Sequence, residues 1–479
     1  MKPLSSRALL ELRQPFEALE RGVLERHLSR PGEVAPPLLD GLRYVLNFAK
    51  LTFVRDEAGR DHDVRELLAP HAWKVREELS RRLGADEDTL WAAARVLPEL
   101  VADTQALRVR LREQFNLSRE GIDRAVTHRK LALVLGGGGG AGYGYAGIAT
   151  LLHRNQVQPE LICGTSMGAL IGMFRARTRQ HDMARMLEAN KSLTWSRVFS
   201  LKPEPSRYGL PATLRLYLRR ALASFMSDAD GRVLTIGEMA IPLHIVATGL
   251  TVDALKHDLG YYEHLLDDVV KPGMIFRASA VKRLGALATV FSELTQDQGA
   301  LREVVFGRDP GTLQADVIDA AGFSASVPGL LHYDVHRDDQ RMKHLLDQLY
   351  ADYGITRLTE GGVVNNVPAR VAFRSAMEGR LQGHRNTYVL AVDCFPPRPS
   401  SLALYPVQQI AAANVVRNKP YANLYLPLGR TLSPLNLVPK VEDVARASRW
   451  AMAALEPHMP LMLATLSPFA ALPDAADPD

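Results

Sequence analysis

Through the first quarter of the chain, apolar residues recur at three- and four-residue spacing with charges between them. The stretches "SRALLELRQPFEALERGVLERHL" and "LWAAARVLPELVADTQALRVRLREQF" show it best. That spacing places apolar side chains on one face of an α-helix. It predicts a helical region over residues 1–128, broken at Pro15, Pro31, Pro36 and Pro37. Ser118 opens the helical stretch "SREGIDRAV", although three residues on stands Gly121, not the Glu or Gln of a capping box. No catalytic constellation stands out here, and the region reads as a packing or docking module.

At Lys130 the pattern changes. "LALVL" is short and wholly apolar, which suits a buried parallel strand. "PELICG", "IPLHIVATGL", "ITRLTEGG" and "NTYVLAVDC" are further strand candidates, and "AGIATLLHRN" and "SMGALIGMFRAR" read as helices between the first of them. Strands alternating with helices predict a doubly wound α/β layer around a mainly parallel central sheet. Helical insertions are expected at 180–235 and 252–318. In the first, Leu210, Leu214, Tyr217, Leu218, Ala221 and Phe225 share one helical face, with Arg215, Arg219 and Arg220 off it. Such a helix is an ordinary surface helix or a lipid-contacting one. Residues 401–465 read as a helical or irregular extension, and 466–479, ending "SPFAALPDAADPD", as a tail that frays.

Composition narrows the class. The chain has 479 residues, 47% of them hydrophobic, enough for a large core. Its net charge of +5 is spread over interspersed acids and bases, with no Lys/Arg block of the kind that binds nucleic acid. The positive balance suits solubility or weak attraction to anionic headgroups. The two cysteines, Cys163 and Cys394, each end an apolar run and read as buried hydrophobes of a reducing compartment. The charged N-terminal stretch lacks a secretory apolar core. No uncharged apolar run reaches the roughly 18–20 residues of a spanning helix. The expectation is a cytoplasmic protein with peripheral membrane contact at most.

The chemistry begins at "LVLGGGGGAGYGY". A P-loop would need Lys and Ser/Thr after its second glycine, and no Lys is there. Gly137, Gly139 and Gly142 match the spacing of a dinucleotide fingerprint. The acid expected about 20 residues on should close the next strand, whereas Glu160 begins it. Downstream, "ICGTSMGAL" holds Gly164-Thr-Ser166-Met-Gly168 between an apolar strand and an apolar helix, the setting of a nucleophile elbow. Acyl transfer needs backbone N–H groups aimed at an oxyanion, and a bare glycine loop beside the serine can supply them. A serine also needs a base. His244, His332 and His336 follow the elbow, but none sits in an evident loop with a paired acid. "LTEGGVVNNVPA" instead places Glu360 at a strand end, before Gly361 and Gly362. Asp393, closing "YVLAVD", is the rival acid. No clustered His, Cys or Asp spacing suggests a metal.

These three corners together resemble the patatin-like phospholipase family, in the order "LVLGGGGGAG", "ICGTSMGAL", "EGGVVNNVPA". "LTIGEMAIPLHIVATGL" and "DAAGFSASVPGLLHYDV" are weaker echoes between them, and the resemblance covers residues 130–396. It implies a three-layer α/β/α acyl hydrolase domain over 129–400 and a Ser-acid dyad that dispenses with histidine. Carried over, Ser166 is the nucleophile and Gly137, Gly138, Gly139, Gly140 and Gly142 form the oxyanion hole. Gly164, Gly168, Gly361 and Gly362 are motif glycines, and Glu360 stands where the family has Asp. Ala141 stands where the family often has Lys or Arg. The implied substrate is a lipid ester, phospholipid or lysophospholipid, with no cofactor, metal or nucleic acid. Two other readings stay open: a catalytically weak lipid-binding or scaffolding module, and a nucleotide-binding regulatory protein.

Overall fold

A computed structural model describes residues 4–32, 35–83, 89–200, 206–264, 289–290, 292–294, 297–335, 338–398 and 405–474. The chain divides into two compact units, one of residues 1–131, 373–388 and 457–479, the other of 132–372 and 389–456.

The first unit is helical. Its elements are α1 (Ser6–Ser29), α2 (Pro36–Ala49), a short antiparallel pair β1 (Phe53–Arg55) and β2 (Asp61–Asp63), α3 (Arg65–Arg82), α4 (Thr89–Phe115) and α5 (Arg119–Thr127). Pro36 and Pro37 open α2, where a missing N–H costs nothing, whereas Pro15 lies inside α1 and does not end it. Helix α2 is buried on two faces. Leu42, Val45 and Leu46 join one core cluster, and Tyr44 and Phe48 join the other. A helix apolar on all sides must lie in the middle of its bundle. The tail that was expected to fray is held through Asp474: Arg108 donates to the Leu472 and Pro473 carbonyls at 2.8 and 2.7 Å, and Leu472 is buried. Residues 475–479 lie outside the described residues.

The second unit is mixed α/β. Strand β3 (Lys130–Leu135) leads through a 3-10 helix, Gly139–Gly144, to α6 (Tyr145–Arg154). Strand β4 (Pro159–Thr165) leads directly into α7 (Met167–Ala176). Then follow β5 (Phe199–Ser200), β6 (Ala212–Leu216), β7 (Leu243–Leu250), β8 (Leu301–Phe306), β9 (Gly329–His332), β10 (Arg357–Thr359), β11 (Thr387–Asp393) and β12 (Leu424–Pro427). The main sheet runs β10-β7-β4-β3-β11-β12, with β8 also paired to β7. The β4–β7 and β11–β12 pairs are parallel, and β8 and β10 run antiparallel to β7. With helices about it, this is a three-layer α/β/α fold with a mainly parallel sheet.

Two expectations need correction. The segment read as one helical face, Leu210–Phe225, holds a strand: β6 pairs with β5 and β9 in a separate three-stranded sheet, and helix resumes only at Leu218. Leu214 and Leu216 are buried in that strand, so the apolar spacing served a pleated surface. The second insertion contributes β8 to the main sheet, while its residues 265–288, 291 and 295–296 lie outside the described residues. The extension after 400 adds β12 to the sheet edge and a helix, Val441–Leu455, against α6.

Candidate active site

The elbow is built as its sequence demands. Strand β4 delivers Ser166 to the sheet's carboxyl edge with φ 54° and ψ −123°, and α7 starts at the next residue. Positive φ is uncommon for a residue with a side chain, and such strain persists only where the surroundings enforce it. Gly168 allows the enforcement: a Cβ there would lie 2.1 Å from the Leu135 carbonyl oxygen, so only glycine lets α7 press against β3. The Ser166 N–H donates to Ser324 Oγ at 2.8 Å, and Ser324 Oγ donates to the Val246 carbonyl at 2.5 Å. One buried hydroxyl from the helix Val317–Ser324 thus ties the strained turn to β7. Sequence reasoning passed over Ser324, although it lies in the quoted "GFSASVPG".

Glu360 ends β10. Its N–H donates to the Ser326 carbonyl, and its own carbonyl accepts from Thr248 Oγ1. The carboxylate is buried; Oε1 accepts from the Gly362 N–H at 3.2 Å, and Oε2 is buried with no hydrogen-bond partner. Burial pushes the carboxyl up to about pKa 8, against the pull of the Gly362 N–H and the nearby Ser166 hydroxyl. The two side chains approach each other across Gly137, where a Cβ would lie 2.6 Å from Asn366 Oδ1, 3.1 Å from Ser166 Cβ and 3.4 Å from Glu360 Oε1. The Ser166 hydroxyl lies near enough to the Glu360 carboxylate to favour its charged form. The fold therefore brings Gly137, Ser166 and Glu360 together from three distant stretches.

The glycine loop divides into two roles. The Gly137 N–H already donates to the Asn366 carbonyl at 3.0 Å, and the Gly140 N–H to the Pro434 carbonyl at 2.9 Å. Both were expected among the oxyanion donors, and both are engaged in holding the loop. Gly142 lies within the 3-10 helix, packed on Met167. The half-buried Gly138 and Gly139 carry no backbone hydrogen bond through their N–H groups among the described residues. At the start of α7 the Met167 and Gly168 N–H groups carry no backbone hydrogen bond among the described residues, whereas the Ala169 N–H donates to the Ser166 carbonyl at 2.9 Å, and the Ser166 side chain caps neither free group. The Gly138, Gly139, Met167 and Gly168 donors thus have no backbone acceptor among the described residues. Ala141 is buried and contributes no charge.

An apolar cavity of about 110 Å³ opens on Ser166. Leu170 and Phe174 of α7, Val198, Phe199, Leu216 and Leu331 form much of its wall. No histidine lines it among the described residues. His244 lies within β7, the His332 Nδ1 shares a hydrogen bond with the Ala212 carbonyl, and His336 lies outside the described residues. Asp393 accepts from Tyr425 Oη at 2.6 Å and the Phe395 N–H at 2.8 Å, so it fastens the end of β11. Cys163 and Cys394 are buried free thiols. Among the described residues one carboxylate trio could hold a metal, Asp316, Asp319 and Asp339. The Arg219 guanidinium donates to all three of these residues, at 2.8 Å to Asp319 and 3.1 Å to Asp339. A cation of the protein's own thus fills that place.

The chain matches the family model of patatin-like phospholipases over residues 133–373, half of its length. The match begins within β3 and takes in the glycine loop, the elbow and Glu360.

Proposed function

The chain belongs to the patatin-like phospholipase family, and on that premise we propose that it is a serine lipid acyl hydrolase of the phospholipase A or lysophospholipase kind, with a Ser166–Glu360 dyad. The observation that carries this reading is the apolar cavity opening on a strained, buried serine beside a buried carboxylate. An acyl chain fits such walls; a nucleotide does not, because the cavity offers no cation to its phosphates.

In the proposed reaction Glu360 Oε2, the carboxylate oxygen without a partner, takes the proton of Ser166 Oγ. Ser166 Oγ attacks the ester carbonyl carbon. The resulting oxyanion accepts from the Gly138 and Gly139 N–H groups and the start of α7. The carbon–oxygen bond to the leaving alcohol breaks as Glu360 returns its proton to that oxygen. Water, deprotonated in turn by Glu360, then releases the acyl chain as a carboxylic acid. No helix among the described residues is long and apolar enough to cross a membrane, and the proposal places the protein at the cytoplasmic periphery of its lipid substrate.

A fluorophosphonate probe tests it. Labelling of the wild-type chain but not of Ser166→Ala is expected, with cleavage of medium- and long-chain p-nitrophenyl esters. A folded wild-type chain that takes no label would overturn the hydrolase reading. The alternative, a lipid-binding or scaffolding module with little turnover, predicts binding of a non-hydrolysable ether lipid without labelling.

A further inference from the structure

The helical unit holds a second cavity, of about 220 Å³. It lies among α1, the end of α2 and α3. Phe16, Leu68 and Ala72 supply apolar wall, and Leu12 and Trp73 stand at it although they are 48% and 68% exposed.

The other end is polar and under-satisfied. Lys50 and Thr52 line the cavity and are themselves buried to 4% and 3% exposure. Lys50 Nζ and Thr52 Oγ1 both lack a hydrogen-bond partner. The carboxylates paired with Lys50, those of Glu17 and Glu20, stay at 3.8 and 3.9 Å, beyond hydrogen-bond reach. The Thr52 carbonyl accepts from the Val64 N–H at 3.1 Å, which brings the start of α3 and Arg65, another wall residue, to the same end. Charge is unbalanced too. Those two glutamates face Lys50, Arg13, Arg43 and Arg129, and burial holds the Lys50 ammonium well below its usual pKa. Buried donors without acceptors, next to an excess of cations, are completed by an anion.

We propose that this cavity binds a single-chain carboxylate amphiphile, its head accepting from Lys50 Nζ and Thr52 Oγ1 and its chain lying along Phe16, Leu68 and Ala72 toward Trp73. Glu11 and Arg76 also stand on the wall, and Leu12, Phe16, Leu68, Ala69 and Ala72 give a hydrocarbon chain its contact. The site requires no chemistry at Ser166 and stands apart from the hydrolase reading.

The test is a titration of the full chain with dodecanoate below its micellar concentration, following tryptophan emission. A saturable change is expected that Trp73→Phe abolishes. Binding should weaken about tenfold or more in Lys50→Met and in Thr52→Val, and equally for dodecanol, which keeps the chain and loses the charge. The proposal is overturned by the absence of a Trp73-dependent change, by equal affinity for dodecanol, or by a response to anionic vesicles alone. The dodecanol comparison uses the unaltered chain, so it decides the matter even if Lys50→Met fails to fold. Ser166→Ala should leave this readout unmoved, so the two readings fail separately.

Discussion

Glu20 in the helical unit and Glu360 in the α/β unit are both buried glutamates, and their surroundings give them opposite characters. Glu20 accepts from Arg129 at 2.6 Å and from Arg43 at 3.3 Å. Burial pushes its pKa up, but Arg129, Lys50 and Arg43 together outweigh burial and hold it at about 2. Glu360 has no cation, only one backbone N–H and a nearby hydroxyl, and burial prevails at about 8. A carboxylate with several charged partners is fixed in one state and serves the fold. One left half-satisfied can gain and lose a proton near neutral pH, as a general base must.

The sharpest break in that comparison is Glu360→Gln. Turnover should fall by about 10³-fold or more, since the proposed base is gone. The same change should stabilise the fold. The folded pKa of Glu360 lies above the unfolded value, so its burden is absent below about pH 4.5, grows as the unfolded chain ionises, and levels off above about 8. Urea unfolding at pH 8 should show a gain of a few kcal/mol in Glu360→Gln, with none at pH 4. Loss of both activity and stability at pH 8 would contradict the assignment.

Glu20→Gln should do the reverse. It leaves Arg129, Arg43 and Lys50 short of an anion, and stability should drop by about 3–5 kcal/mol at pH 7, with kcat of the folded protein unchanged. Because the folded pKa of Glu20 is depressed, its contribution is present above about pH 4.5 and is lost as pH falls through about 2. Denaturant melts of wild type and variant should therefore converge in strong acid.

The pH profile reads Glu360 without mutation. Its base form appears only as pH rises through about 8, so kcat/KM should climb about tenfold per pH unit below that value and flatten above it. An inflection at ordinary carboxylate pH would remove Glu360 from the role. The smallest effect is expected at Ser324, which holds the Ser166 N–H without touching substrate. Ser324→Ala should lower kcat by about tenfold with KM unchanged, and Ser324→Thr, which keeps the hydroxyl, should retain more.

Much of the second unit was legible because its signals are local. The wholly apolar "LALVL" and "PELICG" became β3 and β4, and the glycines around Ser166 became the turn they suit. The segment Leu210–Phe225 was misread because spaced leucines serve a short strand as well as a helix, and only pairing with β5 and β9 decides between them. In the first unit the long amphipathic helices were plain, while the role of the last residues depended on Arg108, more than 350 positions away.

The sequence by itself determined β3, β4, β7, β10 and β11, the turn at Ser166 and the presence of a carboxylate at position 360, because hydrophobic period and glycine act over a few residues. Tertiary structure alone decided which of the five glycine amides stay free, since Asn366 and Pro434 take those of Gly137 and Gly140. It also decided the cavity beside Ser166, the brace at Ser324 and the contrast between Glu20 and Glu360. Hydrogen-bond acceptors, burial and nearby cations come from parts of the chain that meet only on folding, and they set what a given glycine or glutamate can do.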